Sequence, residues 1–191
     1  MRYSADQKIK TKRSIIEAAG NALKKGGFAG VGVDHLASAA GVISGSVYSN
    51  FAGKQDLLKE VIGAYLGAPF VDVEANADVD WRRRLEAFLR TYISPAHRRD
   101  PVNGCVMPAL SADVSRASIA VRRTYQRKMS DLIDKMSNAM VGAKDKRRNS
   151  AWSVLAMMVG AITVARALPD GSEADEVVHA ALESALRMLD E

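Results

Sequence analysis

Val33-Asp34-His35-Leu36-Ala37-Ser38-Ala39-Ala40-Gly41-Val42-Ile43-Ser44-Gly45-Ser46-Val47-Tyr48-Ser49-Asn50-Phe51 holds two short helical patterns that meet at Gly41. Glycine lets the chain turn at positive φ, and the small residues Ala37 and Ala40 let two helices approach closely. Two short helices joined by a glycine turn are the grammar of a helix-turn-helix. The second pattern carries short polar side chains (Ser44, Ser46, Ser49, Asn50) and one aromatic, Tyr48. Such side chains fit a major groove and hydrogen-bond to phosphates or base edges.

Working outward, the flanking segments also read as helices. Residues 6–25 place Ile9, Ile16, Ala19 and Leu23 at helical spacing, and Gly26-Gly27 stops them. Lys54 to about Tyr65 follows, with Leu57, Leu58, Val61 and Ile62 inward. Residues 68–80 hold Asp72, Glu74, Asp78 and Asp80 without a base, which predicts a boundary between modules. Helices are expected over Trp81–Ile93, Cys105–Val114 (interrupted near Pro108), Ile119–Met140, Ala151–Leu168 and Ser172 to about Leu189. Residues 96–104 read as a loop, and Gly142–Arg148 as a basic turn. The fold class is therefore all-α, about nine helices, with no alternating pattern to argue for a sheet.

The chain has 191 residues, with 48% hydrophobic and 26% charged types. That composition excludes a disordered chain. Cys105 is the only cysteine, so no internal disulfide forms and a reducing compartment is expected. The uncharged, largely apolar run Asn149 to Ala165 is short for a bilayer span. The basic N-terminus has no apolar block behind it, so a secretory signal is not expected. A cytoplasmic location is expected. Residues 1–60 carry nine Lys/Arg against five Asp/Glu, which accounts for four of the five net positive charges. A basic head on a near-neutral body suits a polyanion partner, although a solvated lysine-rich face gives the same count.

Specific pieces stand at fixed spacing across residues 8–60. They are Ile15-Ile16-Glu17-Ala18-Ala19, Gly27-Phe28, Leu36-Ala37, Ala40-Gly41-Val42, Gly45-Ser46-Val47-Tyr48, Phe51 and Lys54-Gln55-Asp56-Leu57-Leu58. This pattern resembles the tetracycline-repressor (TetR/AcrR) family of bacterial transcriptional regulators. The resemblance implies a head, residues 1–53, that binds double-stranded operator DNA. It implies a helical body, residues 54–191, for ligand binding and dimerisation. It places Tyr48 and Lys54 on backbone phosphates, and Ser44, Ser46, Ser49 and Asn50 on the recognition helix. Gly45 falls where bare backbone lies close to DNA, and Thr11 and Val33 join the DNA-facing set. Phe51 matches a core position. Two departures stand out. Ile43 replaces a small hydroxyl residue, and Ser44 stands where a basic residue is common. The recognition helix thus has no Arg or Lys for bidentate guanine readout, which leaves serine contacts, Ile43 against a thymine methyl, and DNA shape.

In the body, Ala151–Ala165 is apolar nearly all round and must be covered on every side. With the last helix it suggests a four-helix dimer interface through Trp152, Leu155, Val159, Ile162, Val178, Leu182 and Leu186. The resemblance implies the same arrangement. Trp81, Phe88, Tyr92, Met107, Leu110, Tyr125 and Met129 are candidate lining for a small-molecule effector pocket, though such stripes also serve as plain core. His35, His97 and His179 lack metal-ligand spacing, and no phosphate loop or nucleophile elbow appears. No cofactor, metal or enzymatic activity is expected. The reading is a homodimeric repressor released from a palindromic operator by a small molecule. Two alternatives stay open: a thiol-based redox sensor through Cys105, and a helical carrier or enzyme with a degenerate head.

Overall fold

The computed structural model describes residues 5–71 and 80–190. Among them are eleven helices and no strand: α1 (Ala5–Gly30), α2 (Val33–Ala39), α3 (Ser44–Asn50), α4 (Lys54–Tyr65), α5 (Ala68–Val71), α6 (Trp81–Tyr92), α7 (Pro95–Arg99), α8 (Val106–Ser115), α9 (Ile119–Ser137), α10 (Lys144–Ala167) and α11 (Ser172–Arg187). Asp72, Glu74 and Asp78 of the expected acidic boundary lie outside the described residues. Asp80 caps α6, its carboxylate accepting from the Arg83 N–H at 3.0 Å.

Packing divides the chain into two units. The first comprises residues 1–66 and 105–126, and the second residues 67–104 and 127–191. The chain of α9 passes from one to the other.

In the first unit, α1 packs on α2, α4 and α8. Its buried stripe is Ile15, Ala19 and Leu23, spaced four apart, while Ile9 is exposed and Ile16 half-buried. The apolar stripe therefore starts later than the sequence pattern suggests, because the first turns have nothing to pack against. Regular helix breaks at Gly27, whose φ of 66° and ψ of 175° are closed to other residues. The next residue is held from both sides. Phe28 N–H donates to Asp113 Oδ2 of α8 at 2.9 Å, and its carbonyl accepts from Lys54 Nζ of α4. The same ammonium lies 4.3 Å from the centre of the Phe28 ring. Lys12 of α1 pairs with Glu60 of α4 at 3.2 Å.

In the second unit, α10 packs along α11 and on α7, and α11 packs on α6. Two differences from the sequence reading stand out. The expected loop 96–104 contains α7, begun by Pro95 at its first position and capped by Ser94, which accepts from the His97 N–H at 3.1 Å. The expected basic turn is the start of α10, whose charged first turns pair outward, as Arg148 does with Asp134. In the first unit α8 runs unbroken through Pro108, because proline in a first turn removes an N–H that has no helical partner anyway. Arg98 of α7 is buried and pairs with Asp170 at 2.7 Å in the turn between α10 and α11. Arg166 of α10 closes the end of α7 by donating to the carbonyls of His97 (2.7 Å) and Arg98 (3.1 Å).

By length and composition α10 would suffice to cross a membrane, a property it shares with core helices of soluble proteins. One side of it is core (Ala151, Val154, Leu155, Met158, Ala161, Ile162, Ala165). The other side leaves Trp152 40% and Val164 52% exposed, with Ser153, Ala156, Gly160, Thr163 and Ala167 between and beyond them.

Candidate nucleic-acid interface

The turn between α2 and α3 is built by its backbone. Val42 N–H donates to the Ala37 carbonyl at 2.9 Å, and Gly41 N–H to the Ser38 carbonyl at 3.0 Å. These are the two bonds of a Schellman motif, with Gly41 at φ 67° in the left-handed position. Ile43 then extends the chain, and α3 starts at Ser44. Leu36, Ala37, Val47 and Phe51 are buried and lock α3 onto α2 and the rest of the first unit.

That anchoring fixes what α3 shows to solvent. Ile43 is 77% exposed and Tyr48 62%, a large apolar and a large aromatic side chain on a surface that gives them no cover. Gly45 and Ser49 are exposed, while Ser44, Ser46 and Asn50 are half-buried. Ser49 Oγ and Asn50 Nδ2 both donate to the Ser46 carbonyl, at 3.0 and 2.7 Å. Ser44 Oγ donates to Asp34 of α2. Val33, at the start of α2, and Thr11, on α1, are half-buried. Lys54 is engaged with Phe28, so its ammonium must share or exchange that carbonyl to reach a phosphate.

Residues 15–61 match the family described as bacterial regulatory proteins, tetR family. This segment, about a quarter of the chain, is similar to the tetR family. The matched residues run from the buried stripe of α1 through both helices of the turn into α4. The solved structure of NemR from E. coli in its reduced form shares the fold at a TM-score of 0.75 and 20% identity, covering 94% of this chain and 96% of that one. A tetR-family regulator from Cytophaga hutchinsonii gives 0.77 at 18% identity, covering 100% and 97%. FadR from Bacillus subtilis, solved with stearoyl-CoA, gives 0.67 at 15% identity, covering 91% and 97%. None of the curated proteins compared matches the chain. The matching segment contains the whole helix-turn-helix, with α3 as its second helix.

The remaining sequence candidates are placed as follows. Trp81, Phe88, Tyr92 and Met129 lie in the second unit. There Phe70 touches both Trp81 and Phe88, and Phe88 touches Tyr92, in one row of rings 5.1–5.9 Å apart. Tyr92 continues the row onto His97 at 4.5 Å. Met107, Leu110 and Tyr125 lie in the first unit, where Tyr125 and Ser111 hydroxyls meet at 2.8 Å. Burial raises the Tyr125 pKa above the ordinary phenol value. A surface groove of 370 Å³ in the second unit is lined by Arg82, Glu86, Arg90, Glu183, Leu186, Arg187, Leu189 and Asp190, and by none of the seven candidates. Of the dimer candidates, Leu155, Ile162 and Val178 are buried inside the chain's own core. Trp152 is exposed, and Val159, Leu182 and Leu186 are half-buried.

Sequence reasoning gave Asp34 and Phe28 no role in the head, and it did not bring Asp113 to it. Asp34 meets Ser44 ten residues on, and Asp113 meets Phe28 eighty-five residues away. The second contact has no local signal. The first had one: an acid and a hydroxyl on the two arms of a helix-turn-helix.

Proposed function

We propose that the chain is a homodimeric repressor that binds a palindromic operator and leaves it when a small molecule binds its body. The head, residues 1–53, does the reading, and residues 54–191 bind effector and dimerise. The carrying observation is α3, seated by Val47 and Phe51 and displaying Ile43 and Tyr48 to solvent. Two heads spaced about 34–36 Å apart enter successive major grooves. A second copy covers the exposed side of α10, where small residues (Ala156, Gly160) permit close approach between Trp152 and Val164. Val159, Leu182 and Leu186 border that seam. A bacterial regulator of this kind works in the cytoplasm.

The effector is apolar or amphipathic. The aromatic row from Trp81 to Tyr92 favours such a molecule, and FadR, of the same fold, was solved with stearoyl-CoA. Release follows if the effector binds the DNA-free form more tightly than the DNA-bound form. A mobility-shift assay on DNA flanking the chain's own gene tests this. One shifted species with two chains per duplex, dissolved by an amphipathic compound, supports the reading. Absence of any shift at low salt would overturn it.

A second reading rests on Cys105. Its Sγ accepts from the Met107 N–H at 3.4 Å at the start of the ten-residue α8. Oxidation there would then control the same head. A Cys105→Ser chain that keeps its full response to oxidant would remove this reading.

A further inference from the structure

Asp34 and Ser44 stand on the two arms of the helix-turn-helix and meet across it, Ser44 Oγ donating to Asp34 Oδ1 at 2.5 Å. Asp34 is exposed and Ser44 half-buried, and the neighbouring Ile43 is among the most exposed apolar side chains described. Among the described residues no ion pair engages Asp34. An unneutralised carboxylate on a DNA-facing surface works against phosphate binding, so its presence calls for a compensating use.

The chemistry of the pair supplies one. A free serine hydroxyl rotates, and reads donors and acceptors alike. A carboxylate only accepts. Once the Ser44 hydroxyl points its hydrogen at Asp34, the serine oxygen has only lone pairs left to offer, and the pair as a whole presents acceptors. In the major groove, adenine N6 and cytosine N4 present N–H donors, whereas guanine presents O6 and N7 and thymine O4, all acceptors. α3 itself has no Lys or Arg to add a cationic donor from the same helix. We infer that Asp34 and Ser44 together form an acceptor-only reader that selects an amino base, adenine or cytosine, over guanine or thymine on the strand it faces. This rests on the placement of α3 in the major groove proposed above.

The test is selection of sites from a random double-stranded DNA library by the full chain and by Asp34→Ala, Asp34→Asn and Ser44→Ala. The native chain should enrich a palindromic motif with one position per half-site where A or C outweighs G or T by about tenfold, the usual cost of one mismatched pair. Asp34→Ala frees the serine to donate, and Ser44→Ala removes the oxygen. Each should flatten that position to under about threefold, with the other positions kept. Asp34→Asn should flatten it too, since an amide presents either face, and should bind unselected DNA more tightly with one negative charge gone. A mere brace between α2 and α3 would alter stability and leave the base preference alone. A motif with G or T at the position that Ser44→Ala flattens, or one unchanged in both Asp34 variants, would overturn the inference while leaving DNA binding intact. No enriched motif from the native chain would instead overturn the DNA-reading role, and this inference with it.

Discussion

Gly45→Ala separates what the fold needs from what DNA needs. Gly45 lies in the second position of α3 with helical backbone angles, and it is exposed. A β-carbon there would meet only Ile43 Cδ1, at 3.9 Å, an ordinary contact. Nothing in the fold requires glycine at this site. Glycine in a helix costs about 0.5–1 kcal/mol relative to alanine, so the variant should gain that much stability. For a chain of this size the gain is about 1–4 °C in melting temperature. The reason for glycine must then lie outside the chain, where the resemblance puts DNA backbone against it. A methyl group forced into a packed interface costs about 1–3 kcal/mol, so operator affinity should fall about five- to 150-fold. Calorimetry and anisotropy titration on the same preparation read the two effects. A variant that melts no lower than the native chain and binds DNA less well meets the expectation. Unchanged affinity would mean that α3 does not approach DNA with this face.

Four further outcomes follow from particular contacts. Gly27→Ala forces a glycine-only backbone conformation at a cost of about 1–3 kcal/mol, and calorimetry should show a melting point lower by several degrees; its β-carbon finds Asp113 Oδ2 no nearer than 3.5 Å, so strain rather than crowding is the cause. Tyr48→Phe should leave stability unchanged, because the ring is 62% exposed, and should weaken binding to selected and unselected DNA alike in a titration. Burial holds the His97 imidazole below its ordinary 6.5, against the smaller opposing effect of its bond to the Tyr92 carbonyl. The unfolded chain therefore takes up a proton that the folded chain refuses, and the stability this site gives, full above pH 6.5, declines as pH falls below it; denaturant melts across pH should show a shallower acid decline in His97→Gln. Val164→Asp places a charge in the proposed α10 seam, and sedimentation should show monomer that no longer binds a palindromic duplex.

How much was legible in the sequence depended on how local each cause is. The helix-turn-helix is written within nineteen residues. Gly41 supplies the left-handed cap, Val47 and Phe51 the anchors, and the spacing of both helices follows. Gly27 was legible for the same reason, as one of two adjacent glycines after a helical stripe. The stripe of α1 was misread by one position because Ile15 and Ile16 are adjacent, and only packing against α4 and α8 decides which turns inward. The helix α7 escaped notice because its five residues (Pro95 to Arg99) show no apolar period. A buried arginine holds it, and Arg98 finds Asp170 only once α10 and α11 are in place. The α10 start at Lys144 was read as a turn because its charges mask a helix that solvent and Asp134 satisfy. In the site, the types of residue on α3 could be read off, but their commitments could not. Asp34 fixes the Ser44 proton and Phe28 holds the Lys54 ammonium, and both partners lie on other helices.

Anisotropy titration of the full chain on duplex DNA flanking its own gene, against scrambled duplex and over a range of salt, measures whether this chain recognises DNA by sequence. Binding to the flanking DNA should be tight and saturable, binding to the scrambled DNA weaker by at least about a thousandfold, and affinity should fall steeply with salt, because added salt makes counterion release from the phosphates less favourable. Equal and weak binding to both duplexes would contradict sequence reading by α3 at that site, and no binding at low salt would contradict DNA recognition altogether.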